Sequence, residues 1–190
     1  MFETRVITSP GEVADEAAKL AALLDAGVDY VHVRKPSCTL PEVRRLIEEM
    51  PYRLRKRVIL HGHFELLNDM NLGGVSLNRR NPHAPSTALV TGVSCHSVEE
   101  ARENASRDFI LLSPVYPSIS KPGYTPGEDL LHSADSIRGI KAIALGGVRP
   151  ENFAELREAG FSGAALLGYV WGNEFDTAVS SIASGIKKIT

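Results

Sequence analysis

Cysteine is nearly absent from this chain of 190 residues: Cys38 and Cys95 are the whole complement, and no close pair spacing suggests a redox or zinc motif. The N-terminus lacks an apolar signal core, so the expected setting is the reducing cytoplasm. No apolar run is long enough to span a membrane, which argues against a membrane partner. Basic runs interleaved with aromatics are missing too, and with a net charge of −2 there is no reason to expect nucleic acid. No internal repeat stands out beyond the rhythm described next.

What is present is 43% hydrophobic and 23% charged sequence, ordinary for one globular domain, expected over 1–190. Strand candidates alternate with helix candidates. The strands fall at Glu3–Thr8, Val28–Val33, Arg57–Leu60, Gly74–Leu77, Leu89–Val93, Phe109–Leu112, Ile140–Ala144 and Gly163–Leu167. Between them lie helices expected at about Glu12–Ala26, closed by Gly27, at Pro41–Met50 after a Thr39 cap, and at Phe64–Met70. Further helices are expected after the Ser97–Glu100 capping pattern, at Leu130–Arg138, at Pro150–Ala159 and at the end of the chain. Two prolines after Leu77, Pro82 and Pro85, leave only a loop or a helical turn there. Eight short strands in strict alternation predict an α/β fold, a single (βα)8 TIM barrel with a reduced helix after strand 4.

In such a barrel the reactive groups stand at the C-terminal ends of the strands. The polar residues there are His32 and Arg34, His61 and His63, Ser76 and Asn78, Ser94 and His96, and Ser113. Spacing of two puts each pair on one face of an extended strand. His61-Gly62-His63 can ligate zinc with His32 or His96 as a third donor, or its imidazoles can serve as hydrogen-bonding and proton-transfer groups. His96 either caps a helix at the surface or acts as a general acid–base.

Two strand ends carry glycine: Ala142-Ile143-Ala144-Leu145-Gly146-Gly147-Val148 and Ala164-Ala165-Leu166-Leu167-Gly168. They either make tight turns or open their N–H groups to an anion, and the pair in succession favours a shared phosphate. Ser113–Asp129, with four prolines and two glycines, is longer than most connections and is expected to be functional or mobile. Arg34, Lys35, Arg79, Arg80 and Lys121 fall in loops on the same side. Singly they are solvated charges; together, with Ser118 and Ser120, they can neutralise a diphosphate.

Asp29-Tyr30-Val31-His32-Val33-Arg34, Gly92-Val93-Ser94-Cys95-His96-Ser97, Ser113-Pro114-Val115-Tyr116-Pro117-Ser118-Ile119-Ser120-Lys121 and the Ala142–Val148 stretch occur in this order. Jointly they resemble the family of thiamine phosphate synthase and the thiazole tautomerase TenI, over nearly the whole chain. The resemblance implies that Gly146, Gly147, Leu167 and Gly168 bind thiazole phosphate. It also implies that Ser118, Ser120 and Lys121 hold hydroxymethylpyrimidine diphosphate. Magnesium is the cofactor it implies, but the carboxylates that would hold the ion are unmatched. The family's Asn-Asp-Arg reads His61-Gly62-His63 here, and its next acidic residue appears as Asn81.

Synthase chemistry, the reading favoured, would use His96, Lys121 and Arg34 in catalysis, and His32, His61, His63 and Ser94 in substrate binding. The alternatives are TenI-type proton transfer, a non-catalytic phosphate-ligand binder and a zinc hydrolase. Phosphorylated small molecules are the expected partners, with a homodimer possible.

Overall fold

A computed structural model describes residues 1–117 and 129–189. Eight parallel strands close into one barrel in chain order: β1 (Glu3–Ile7), β2 (Tyr30–Val33), β3 (Val58–Leu60), β4 (Gly74–Leu77), β5 (Thr91–Cys95), β6 (Phe109–Leu112), β7 (Ala142–Ala144) and β8 (Gly163–Leu166). β8 pairs back onto β1 through Glu3 to Val6, so no strand edge is left open. This is the barrel that strict alternation predicts.

Alternation along each strand separates two cores. Val6, Val31, Val33, Leu60, Val75 and Leu77 point outward and pack under the helices. Ile7, Ile59, Phe109, Leu111, Ile143 and Ala165 fill the barrel itself. The Phe109 ring occupies the space a side chain at position 92 would take, which is why β5 carries Gly92 opposite it.

The helices are α1 (Glu16–Asp25), α2 (Leu40–Glu48), α3 (Leu66–Asp69), α4 (Val98–Glu103), α5 (Phe153–Glu158), α6 (Gly168–Trp171) and α7 (Phe175–Ile189). Four of the seven span six residues or fewer, which is how a barrel fits so short a chain. α1 starts four residues later than its alanine content suggests because Asp15 is left-handed at φ 53°. It ends as expected at Gly27, φ 109°, where Val28 N–H returns to the Leu23 carbonyl. In α2 the Thr39 N–H donates to the Glu42 carboxylate at 2.6 Å.

Three expectations shift. β5 begins at Thr91, leaving Leu89 outside the strand and exposed. Only a 3-10 turn forms within Leu130–Arg138, at Ala134–Ile137, since the Asp129 carboxylate takes both the N–H and Nδ1 of His132 and ties off the turn. A 3-10 helix at Tyr52–Arg57 precedes β3, where periodicity shows nothing. After β4 there is no helix; Asn78 and Asn81 close a tight turn instead. No helix among the described residues is long and apolar enough to cross a membrane.

Candidate active site

The groups at the C-terminal mouth divide by what they touch. His32, on β2, is fully buried and lies with Nδ1 2.9 Å from Nε2 of His61, the residue after β3. Burial, the second ring and the nearby Arg5 guanidinium push the His32 pKa well below the usual imidazole value. His61 is pushed down to about 3 by burial and by Arg34. Both rings are therefore neutral at physiological pH.

His63 does not join them. The strand has ended, its backbone turns left-handed at φ 53°, and its Nε2 donates to the Cys38 carbonyl at 3.0 Å. The shared face expected for His61 and His63 holds only while the chain stays extended. With His32 and His61 turned on each other and His63 elsewhere, the three rings are not placed around one zinc ion. Among the described residues no group of three His, Cys, Asp or Glu could hold a metal.

The same test applies to magnesium. Asn78 and Asn81 each donate a side-chain N–H to the His61 carbonyl, at 2.8 and 3.0 Å. The Asn78 side-chain oxygen accepts from the N–H groups of Arg80 and Asn81. These amides brace the turn after β4, and among the described residues no carboxylate joins them in a group able to hold a metal. With the Asn78 oxygen and the His61 carbonyl already taken by N–H groups, these residues do not fit a site for a hard divalent cation, which needs several free oxygen ligands. Arg79 and Arg80 stand exposed at the tip of that turn.

Lys35 departs from expectation. It is not a loop charge at the mouth but is buried, with Nζ 2.6 Å from Glu16 and 2.7 Å from the Gly11 carbonyl. Its charge is not available for a diphosphate. Arg34 is exposed, its N–H held by Thr8 Oγ1 at 2.9 Å.

His96 is exposed at the β5–α4 junction, one residue before the Ser97 cap, whose Oγ accepts from Glu100 N–H. Its Nδ1 lies 2.9 Å from the Ser113 carbonyl. A carbonyl only accepts, so the neutral ring carries its proton on Nδ1 and keeps a basic lone pair on Nε2. Ser94, two residues earlier, is partly buried on β5. Cys95 faces the outer core, its thiol pushed up to about 12 by burial and by Glu100 and Glu103, and is no nucleophile.

The glycine turn after β7 is built from both sides. Gly146 and Gly147 have φ 89° and 66°. A Cβ on Gly146 would press on Pro114, and one on Gly147 on the Pro117 carbonyl and Tyr116. The chain after β6 is sewn to this turn: Val115 N–H donates to the Leu145 carbonyl at 2.9 Å and Tyr116 N–H to the Gly146 carbonyl at 3.0 Å. β7 and β8 pair side by side through Ile143–Gly163 and Ala144–Ala164, so the Gly146-Gly147 turn and the Leu167-Gly168 entry to α6 leave neighbouring strands. Two glycine-bearing strand ends thus lie side by side. Ser118, Ser120 and Lys121 lie outside the described residues.

Sequence reasoning missed Arg5. It is buried inside the barrel on β1, with Nη1 3.3 Å from His32 Nε2 and Nη2 2.6 Å from Glu3. An arginine alternating with apolar residues in a strand, two residues from a glutamate, was the available signal.

Comparison with known proteins matches the family described as thiamine monophosphate synthase to residues 5–170. The chain is 36% identical to the thiamine-phosphate synthase of Methanocella arvoryzae over 185 residues, covering 90% of this chain and 86% of that protein. It is 31% identical to a putative thiamine-phosphate synthase of Geobacter sulfurreducens over 166 residues, covering 80% and 78%. The crystal structure of thiamine phosphate pyrophosphorylase from Bacteroides thetaiotaomicron superposes with a TM-score of 0.82 at 31% identity, covering 98% of this chain and 96% of that one. With the closed barrel and the paired glycine turns, these likenesses make the chain a member of the thiamine monophosphate synthase family.

Proposed function

We propose that this chain is a thiamine phosphate synthase, a transferase that joins hydroxymethylpyrimidine diphosphate to thiazole phosphate and releases pyrophosphate. One observation carries the reading beyond family membership. The segment after β6 that leads into Ser118–Lys121 is hydrogen-bonded directly onto the Leu145–Gly146 turn. A diphosphate held by that loop and a phosphate held by the glycine turns would lie against one another, as a two-substrate transfer requires.

In this reading Gly146, Gly147, Leu167 and Gly168 offer backbone N–H groups to the thiazole phosphate. Ser118, Ser120, Lys121 and Arg34 meet the diphosphate. The C–O bond to the diphosphate breaks with its electron pair leaving on pyrophosphate. The thiazole nitrogen lone pair then forms the new C–N bond to the cationic methylene carbon. Cationic side chains aimed at the departing oxygens lower that barrier most where water is excluded. No step is assigned to a protein-bound magnesium ion, because the residues after β3 and β4 do not fit one. Arg79 and Arg80 supply positive charge on that side, although a guanidinium is more diffuse than a divalent ion. Ser94 and His61 are the polar groups offered to the substrates from β5 and the end of β3, with His32 buried behind His61. The whole of 1–190 acts as one barrel domain.

His96, with its free Nε2 lone pair, supports TenI-type proton transfer as the second reading. One assay separates the two. Purified protein is incubated with thiazole phosphate and hydroxymethylpyrimidine diphosphate, with and without magnesium, and thiamine phosphate is followed by mass. Thiamine phosphate formed from the aromatic thiazole is the expected product. Its absence, with conversion of the non-aromatic thiazole tautomer to the aromatic one, would overturn the synthase reading, and His96→Gln should then abolish that conversion.

A further inference from the structure

Below the mouth, a row of polar groups crosses the barrel interior and ends at His61. It starts at Glu3, which receives Lys141 Nζ at 2.5 Å as well as Arg5 Nη2 at 2.6 Å. The Arg5 guanidinium lies between two rings, 4.8 Å from the centre of Tyr30 and 4.0 Å from that of Phe109. Arg5 Nη1 reaches His32 Nε2, and His32 Nδ1 reaches His61 Nε2.

The protons along this row can be placed in one way. A guanidinium has five N–H donors and no acceptor. The nitrogen it faces, His32 Nε2, must therefore offer its lone pair. A neutral His32 then carries its proton on Nδ1 and donates it to His61 Nε2. That nitrogen is in turn an acceptor, so the single proton of a neutral His61 sits on Nδ1. No hydrogen bond within the described residues uses His61 Nδ1, and it is not among the polar atoms sealed away without a partner. The one buried hydroxyl that is, Ser76 Oγ, belongs to β4 one residue beyond the Leu60–Val75 pair, level with His61. That level of the barrel has polar capacity to spare.

We propose that Arg5 is a positioning residue: through His32 it fixes the tautomer of His61, so that His61 presents an N–H and never a lone pair to the bound substrate. The group met there must be an acceptor, such as a heteroaromatic ring nitrogen or a phosphate oxygen. An amine or ring N–H at the same place would set donor against donor and be rejected. The identity of the substrate rests on the synthase reading; the tautomers do not.

The test is long-range proton–nitrogen correlation of the imidazole rings in the ligand-free, full-length protein, with His32→Gln and His61→Gln used to assign the two rings. Both should appear as Nδ1–H tautomers. Arg5→Met removes the donor and should move the His32 proton to Nε2 or to a mixture, whereas Arg5→Lys, still a pure donor, should keep the original pattern. In the assay, Arg5→Met should lower kcat/KM on the order of tenfold, with Arg5→Lys restoring most of it. An Nε2–H tautomer at His61 in the unaltered protein would overturn the proposal, and so would unchanged tautomers in folded Arg5→Met. Should Arg5→Met not fold, the spectrum of the unaltered protein decides alone. The spectra need no substrate, so the tautomers are decided even if the synthase assay yields no product.

Discussion

Glu16 Oε2 and Lys35 Nζ lie 2.6 Å apart, and both side chains are sealed from solvent at 8% and 4% exposure. The Glu16 pKa is raised, because the burial cost outweighs the hydrogen bond and charge of Lys35. Its second oxygen has no hydrogen-bond partner among the described residues. A pair of this kind costs much to break and little to remove whole.

Glu16→Leu alone should therefore destabilise the fold by about 3–5 kcal/mol, leaving an unpaired buried ammonium. Replacing both, as Glu16→Leu with Lys35→Met, should recover most of that loss. Urea unfolding of the two variants measures the difference. A double variant no more stable than the single one would show that the pair is net stabilising.

Gly147→Ala tests the glycine turn. The φ of 66° costs an alanine about 1–2 kcal/mol, and the new methyl meets the Pro117 carbonyl. KM for thiazole phosphate should rise on the order of tenfold. Gly160→Ala is the control, since Gly160 has φ 101° but nothing within 4 Å of its would-be Cβ. It should lose stability while keeping its KM; an equal rise in both variants would detach the phosphate from Gly147.

Both His32 and His61 have folded pKa values below the unfolded value of 6.5. Above that value both states hold these rings neutral and no penalty arises. As pH falls below it, the unfolded chain binds protons that the folded protein refuses. Stability should decline by about 1.4 kcal/mol per pH unit for each histidine. For His61 the decline continues toward about 3. His61→Asn should flatten the slope of unfolding free energy against pH between 6.5 and 4.5, roughly by that amount. An unchanged slope would mean that the pair does not stay neutral.

Magnesium offers a separate check. Calorimetric titration into the ligand-free protein should give no saturable binding in the millimolar range, because Asn78 and Asn81 are committed to the His61 carbonyl and to each other. Saturable binding that disappears in Asn81→Ala would place an ion where the present donor set provides no carboxylate.

The sequence alone carried the closed eight-strand barrel, the lack of a full helix after β4 and the adjacency of two glycine-bearing strand ends. Each depends on local properties: the period of the apolar residues, the cap at Ser97, and the prolines after Leu77. Whether His61 and His63 share a face was not local in that way, since a left-handed residue beyond the strand turned the second ring toward Cys38. Lys35 read as a surface charge because its partner Glu16 lies on another element. The interior row was invisible for the same reason. Arg5 and His32 are 27 residues apart, and His32 and His61 are 29 apart. Only closure of the barrel brings them within hydrogen-bonding distance, and the proton positions follow from what each nitrogen then faces.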